Sequence, residues 1–533
     1  MANISDKTNT LIEGYHKWQK YNFEDKKPNA IHVDEVASKV AAFYEKIRGI
    51  IDWKEEHLLK RRAIERILKR RLFAKINLDS GNIEDVSKIA ESLVLELIRG
   101  GHFPNDRIPE TKIPRVQRSI DKYAYILNNT SYKKKRSRIE LYGWISAIAA
   151  CEIEEILDPP IKEKALINYM FSVIGEKIKV NDGLEISKTD KNIQIYVAVN
   201  RALFNLDSAI ISYYLLKYRY ENWTEKDSFD EDIYAVKSRL DKDLNHPLAD
   251  KFYKICQKYN TPFLILGDVL ESDAKEAQKT LADPEVLENK ILKHYNNRIG
   301  NLKKKLGRAA FYATLSIFLT NIISLLLVEM PFNKWVTGYF FNWIAIAIDI
   351  LVPTIMMFLL VVTISPPGKE NLPKVITEVI KIAYGKGRSE VYEIKKPKKT
   401  SAVFEFLINI FYLLGFLVII SIIVWLLSKV NFPPLSYIIF IIFLSLIAFA
   451  GTKIRQRAKD LQVIEKKDTL FHLLADPFST PIIQLGKWLT GKWQKYNIIA
   501  VFFSALVDMP FTLFIEFIEQ WRYFLKEKKE KIH

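Results

Sequence analysis

The chain has 533 residues, 49% of them apolar, and carries 79 Lys and Arg against 62 Asp and Glu, a formal net charge of +17. A half-apolar composition excludes a disordered chain, and Cys151 and Cys256, the two cysteines, are too few for a disulfide framework. The mean hydropathy is close to zero because two unlike regions average out: residues 1–308 hold 54 basic and 46 acidic side chains, while 309–533 hold 25 and 16 around four long apolar stretches, so a purely soluble protein is excluded.

The N-terminus stays polar past residue 30, without the basic region, apolar stretch and small-residue cleavage site of a secretory signal, so it is expected to remain in the cytosol. Apolar residues recur three and four apart over 33–51, 53–74, 83–99, 114–128, 132–157, 161–178 and 192–204, and again over 207–220, 230–244, 248–259 and 284–306. Gly100-Gly101, Asp158-Pro159-Pro160, Asn181-Asp182-Gly183 and Asn245-His246-Pro247 punctuate these segments. Alternating β-branched residues are scarce. The pattern predicts an all-α cytosolic domain over 1–300, with no repeat period that would make it a solenoid.

Within 53–75, Arg62, Arg66 and Arg70 recur every four residues and form a basic stripe, with Leu59, Ala63, Ile67 and Leu68 towards another face. Such a stripe suits a solvated helix face, anionic lipid headgroups at about 1 kcal/mol per basic residue, or an unidentified cytosolic protein. Nucleic acid is the least supported partner.

Stretch 309–328 has no charge in 20 residues, and at about 1.5 Å per residue it covers roughly 30 Å of hydrocarbon. Stretch 339–364 is a second span with one charge, Asp349; 403–427 is a third, charged at Glu405; and 435–451 is a shorter fourth with none. Together they predict a membrane domain over 301–452, with a basic cytosolic loop over 365–402. Lys and Arg counts give the orientation: five precede the first span, nine lie in each of 365–402 and 452–497, and one lies in each of 329–338 and 428–434. Both termini are therefore expected in the cytoplasm of a cell whose plasma membrane is the bilayer.

Asp349 is the sharpest feature, because an ionisable residue inside a span is costly and faces other helices or water. Pro353, four residues on, cannot donate to the Asp349 carbonyl, so a polar backbone group is freed there. Depth selects Asn321 of the first span as its partner, since both lie roughly halfway across the core. The expectation is an Asp349–Asn321 hydrogen bond, either a structural tie between helices or part of a proton or cation pathway. Glu329-Met330-Pro331-Phe332 and Asp508-Met509-Pro510-Phe511 read as helix starts with a capping acid.

Region 453–533 is expected to be cytosolic and interfacial. In 498–525, Asp508, Pro510, Glu516 and Glu519 interrupt the apolar run, while Phe514, Phe517, Ile518, Trp521 and Leu525 recur at helical spacing. This predicts an interfacial or re-entrant amphipathic helix.

Other motifs fail on context. Gly486 to Lys492 has the spacing of a phosphate-binding loop, but Trp493 stands where a Ser or Thr belongs and no strand precedes it. The eight histidines are scattered, so no metal site or cofactor is expected, and no catalytic motif is recognised. Asp268, Glu271 and Asp273 read as a helix end, and Tyr213, Tyr214 and Tyr218 as core packing. The leading expectation is a membrane-anchored binding or scaffolding module. The alternatives are a small transporter or channel using Asp349, as a homo-oligomer because four spans leave little room for a pathway, and a membrane-tethered enzyme.

Overall fold

A computed structural model of the chain describes residues 4–23, 29–35, 38–43, 58–73, 75, 83, 85–130, 135–180, 186–220, 223, 232–338, 343–364, 366–385, 392–394, 401–459, 461–463, 470–495, and singly 514, 517, 521, 524 and 525. The fold is all-α: a helical N-terminal region is followed by four helices long and apolar enough to cross a membrane, 284–336, 343–362, 406–428 and 434–458. It is a multi-pass membrane protein by this measure. One short parallel strand pair, Ile178–Val180 with Tyr392–Ile394, is the regular β-structure among the described residues.

The hydrophilic region has two apolar cores. The first joins helices Leu59–Phe73, Ile89–Arg99, Ile113–Asn128, Lys135–Leu157, Ser208–Arg219 and Ile233–Leu244. Helix Ile89–Arg99 illustrates the sequence logic. Its buried set, Ile89, Ala90, Leu93, Val94, Leu97 and Ile98, follows the helical period, and the helix stops where Gly101 takes φ +73°. The second core joins Asp6–Phe23, Ile161–Lys177, Lys188–Phe204, Ala249–Ser272 and the start of the long helix from Pro284. Helix Lys188–Phe204 serves both cores, turning Ile193 and Val197 to the first and Ile195, Ala198 and Val199 to the second.

Buried charge in the first core is paired. Lys122 donates to both carboxyl oxygens of Glu152, at 2.8 and 2.6 Å, and to the Trp223 carbonyl, while Tyr123 donates to Glu152 at 2.7 Å. Arg61, 1% exposed, lies between Glu65 and Asp207.

The second core is completed from elsewhere in the chain. The connection between spans two and three carries a helix, Asn371–Ala383, whose Val375, Val379, Ile382 and Ala383 are buried against helices Ala249–Ser272 and Pro284–Ser324. Thr8 donates to the Ala383 carbonyl at 2.9 Å and Tyr169 to that of Ile382 at 3.0 Å. A count of basic residues registers 365–402 as a loop. Its apolar residues at i, i+4, i+7 and i+8 instead make one face of an amphipathic helix.

The first span continues from the hydrophilic helix without a break, capped at its start by Asp283 and begun at Pro284. After Ser324 the helix widens into π-type turns, in which the Met330 N–H reaches the Leu325 carbonyl, and it runs on to Thr337. Glu329-Met330-Pro331-Phe332 is therefore not a helix start. Glu329 has helical φ and ψ and makes no side-chain cap, and the widened turn accommodates Pro331 inside the helix.

Helix Leu470–Lys495 packs along the third and fourth spans. At Gly486 a Cβ would come within 2.0 Å of the Ser445 carbonyl oxygen, a contact that only glycine permits, and Ser445 lies in the middle of the fourth span. The glycine of the apparent phosphate loop is thus a helix-packing glycine. Phe514, Phe517, Trp521, Phe524 and Leu525 are helical and exposed, with the Phe517 and Trp521 rings stacked at 6.2 Å. The remainder of the expected helix 498–525, including Asp508 and Glu516, lies outside the described residues.

Candidate functional site

Two places concentrate chemistry. The first is inside the membrane bundle. Asn321, Glu329 and Asp349 are 1%, 0% and 3% exposed although they lie on helices whose other faces are apolar and open. Asn321 Nδ2 donates to the Asp349 backbone carbonyl at 3.3 Å. That is the carbonyl four residues before Pro353, which has no N–H to give it. The structure thus brings Asn321, Asp349 and Pro353 together through the backbone.

The carboxyl group of Asp349 has a different partner. It lies against the carboxyl group of Glu329. Glu329 also accepts from Ser324 Oγ at 3.2 Å and from the buried Ser436 Oγ of the fourth span. Three helices, the first, second and fourth of the bundle, therefore meet at one polar cluster. The sequence reading missed Glu329 because it ends an apolar run next to Met-Pro, a position that resembles a helix boundary. Its spacing of eight residues from Asn321, two helical turns with one extra residue, was the available signal.

The second place is a cleft of about 1250 Å³ where the two hydrophilic cores meet the ends of the first and fourth spans that face the hydrophilic region. Its walls include Trp18, Phe103, Tyr213 and Tyr214, and residues of the membrane helices such as Lys305, Arg308 and Ile454. Several ring faces are taken by the protein's own lysines: Lys60 lies over Phe103 at 5.4 Å, Lys162 over Trp18 at 4.8 Å and Lys217 over Tyr213 at 5.5 Å. Those lysines are ion-paired in turn to Asp158, Glu271 and Glu155.

Two carboxyl groups on the cleft wall are different. Glu154 and Glu163 have no ion-pair partner among the described residues. Burial pushes Glu154 up to about 7 from an ordinary 4.5, against the pull of Lys60 and Arg61, and it also raises Glu163. Cys151, on the same wall, has its thiol pushed up by burial and is a poor nucleophile.

The basic stripe lies elsewhere. Arg62 and Arg70 pair with Asp207, at 3.7 Å, and Glu96. Arg66 is half-buried and also engaged. The acidic trio is similarly occupied, with Asp268 on Arg298, Glu271 on Lys162 and Asp273 on Lys290. Among the described residues no group of three or more His, Cys, Asp or Glu could hold a metal ion. No family model matches the chain, and no curated protein or solved structure matches it either.

Proposed function

We propose that the protein is a membrane-anchored binding module, held with its helical region on the cytoplasmic side, that takes a positively charged ligand or partner segment in the cleft between that region and the bundle. The observation that carries this reading is a roomy cleft in which Lys60 and Lys162 are already paired while Glu154 and Glu163 are not. An ammonium or guanidinium group would neutralise a carboxyl group that is otherwise costly to ionise. The orientation rests on the basic connections, and Lys303, Lys304, Lys305 and Arg308, all exposed just before the first apolar stretch, replace Arg62, Arg66 and Arg70 as the side chains offered to anionic lipid headgroups.

Capture in mild detergent tests the proposal, with the full chain as bait because helix Asn371–Ala383 and Ile394 complete the second core. Specific partners recovered by the wild type and lost with a Glu154→Gln, Glu163→Gln double variant that still folds and melts cooperatively would support it. Capture of nothing specific, together with ion flux in liposomes, would replace it with the transporter reading, for which the Glu329–Asp349 pair is the specific support.

A further inference from the structure

The cleft has a direction. One wall follows a single face of the helix that becomes the first span: Arg298, Leu302, Lys305 and Ala309, at spacings of four, three and four. At about 1.5 Å per residue this stripe is roughly 16 Å long, and Ala309 opens the uncharged stretch of the span. Ile454, close to the end of the fourth span's helix, lines the cleft and shares an apolar cluster with Leu302 and Leu306. The Ala309 end therefore lies at the edge of the hydrocarbon.

The acids lie at the other end. Arg298 holds Asp268, and three residues further along the same helix Glu271 holds Lys162, the neighbour of Glu163. His294, one turn before Arg298, meets Ser272, so this end of the cleft is the one away from the membrane. Glu163 and Glu154 flank the Asp158-Pro159-Pro160 turn, which also lines the cleft. At the membrane end, Lys305 and Arg308 are exposed on the cleft wall and have no hydrogen bond or ion pair among the described residues. Uncompensated positive charge thus marks the mouth at the bilayer, and uncompensated carboxyl groups mark the interior.

We propose that the cleft takes the headgroup of an amine-bearing phospholipid from the leaflet facing the hydrophilic region, with its phosphate on Lys305 and Arg308, its primary ammonium group towards Glu163 and Glu154, and its acyl chains left in the bilayer beside the first and fourth spans. This rests on the reading that the two carboxyl groups receive a positive charge, and it names the carrier of that charge. A soluble cation or a basic peptide is repelled by Lys305 and Arg308, whereas a phosphate group is drawn to them. A primary ammonium group brings three N–H donors to carboxyl groups that burial makes costly to ionise. A quaternary ammonium group brings none, and the ring faces that would attract it, on Trp18, Phe103 and Tyr213, already carry lysines.

The test uses the full chain in mild detergent, with phosphatidylethanolamine, lysyl-phosphatidylglycerol, phosphatidylglycerol or phosphatidylcholine of matched acyl chains, and native mass spectrometry to read bound lipid. The two amine-bearing lipids place the ammonium group nearer to and farther from the phosphate. At least one of them should be retained at one per chain, several-fold better than phosphatidylglycerol and phosphatidylcholine. The Glu154→Gln, Glu163→Gln double variant should lose that preference. Lys305→Gln with Arg308→Gln, at exposed positions where folding is not at stake, should weaken retention of the preferred lipid several-fold. A wild type that retains neither amine-bearing lipid better than the other two would overturn the proposal, as would a preference that persists in the double carboxyl variant. If the preference is absent while capture of a partner still depends on Glu154 and Glu163, the lipid is wrong and the cleft reading stands; if that dependence is absent too, both fall.

Discussion

The interior of the hydrophilic region and the interior of the membrane bundle treat buried charge in opposite ways. In the first, each buried cation has a carboxylate at hydrogen-bond distance: Lys122 on Glu152, Arg61 on Glu65 and Asp207. In the second, the partner of Asp349 is another acid, Glu329, and the remaining contacts are serines and an asparagine. A pair of opposite ions is held by Coulomb attraction and fails when either member is lost. Two neighbouring acids have no such attraction, and this pair is held by hydrogen bonds from hydroxyl groups.

Several measurements break or sharpen this contrast. The largest effect is expected for Lys122→Met, which leaves Glu152 buried and uncompensated at a cost of about 3–5 kcal/mol. Adding Glu152→Gln should recover much of that in denaturant melts of the full chain. Next is the pH dependence at Glu154. Its folded-state value of about 7 exceeds the ordinary 4.5, so the folded state binds more protons between those limits. The group's contribution is complete below about pH 4.5 and is lost as pH rises towards about 7, a fall of roughly 2–3 kcal/mol. Glu154→Gln should flatten that fall in thermal melts, and a wild-type curve already flat over the window would remove the claim.

Within the bundle, Glu329→Gln should change stability by less than about 1 kcal/mol, because a neutral amide can still bond Ser436 and Asp349. A loss as large as that for Lys122→Met would mean that Glu329 is held as an ion. The smallest effect belongs to Arg62→Ala. Its pair with Asp207 at 3.7 Å is partly exposed, so about 0.5 kcal/mol or less is expected, with vesicle binding unchanged.

Much of this architecture is legible in the sequence. Long apolar stretches mark the four spans, helical periodicity marks most of the hydrophilic helices, and a depth argument brings Asn321 to the Asp349 backbone. That argument works because membrane thickness turns residue number into position. Pro353 even identifies the atom involved, the carbonyl that it cannot serve. Glu329 resists the same treatment. Its neighbours Met330 and Pro331 favour a boundary, and only the widened turn after Ser324, a tertiary choice, keeps the chain helical and rotates the acid inward. Helix Asn371–Ala383 was obscured by its own lysines, which signal orientation as strongly as its valines and isoleucines signal packing. The role of Gly486 depends on a neighbour some forty residues earlier, the Ser445 carbonyl, which no local pattern announces.

Helix Asn371–Ala383, which completes the second core, has a consequence for how the protein is made. A ribosome delivers residues 1–300 first, and helix Ala249–Ser272 and the start of the helix from Pro284 then lack the valine and isoleucine face that packs on them in the finished molecule. That face emerges only after two spans have been synthesised and handed to the bilayer. Completion of the second core is therefore tied to correct insertion of the first hairpin: a chain whose first two spans fail to insert leaves an unfinished apolar surface in the aqueous compartment, where chaperones and proteases act on it. The thread through the membrane and back acts as a checkpoint on assembly.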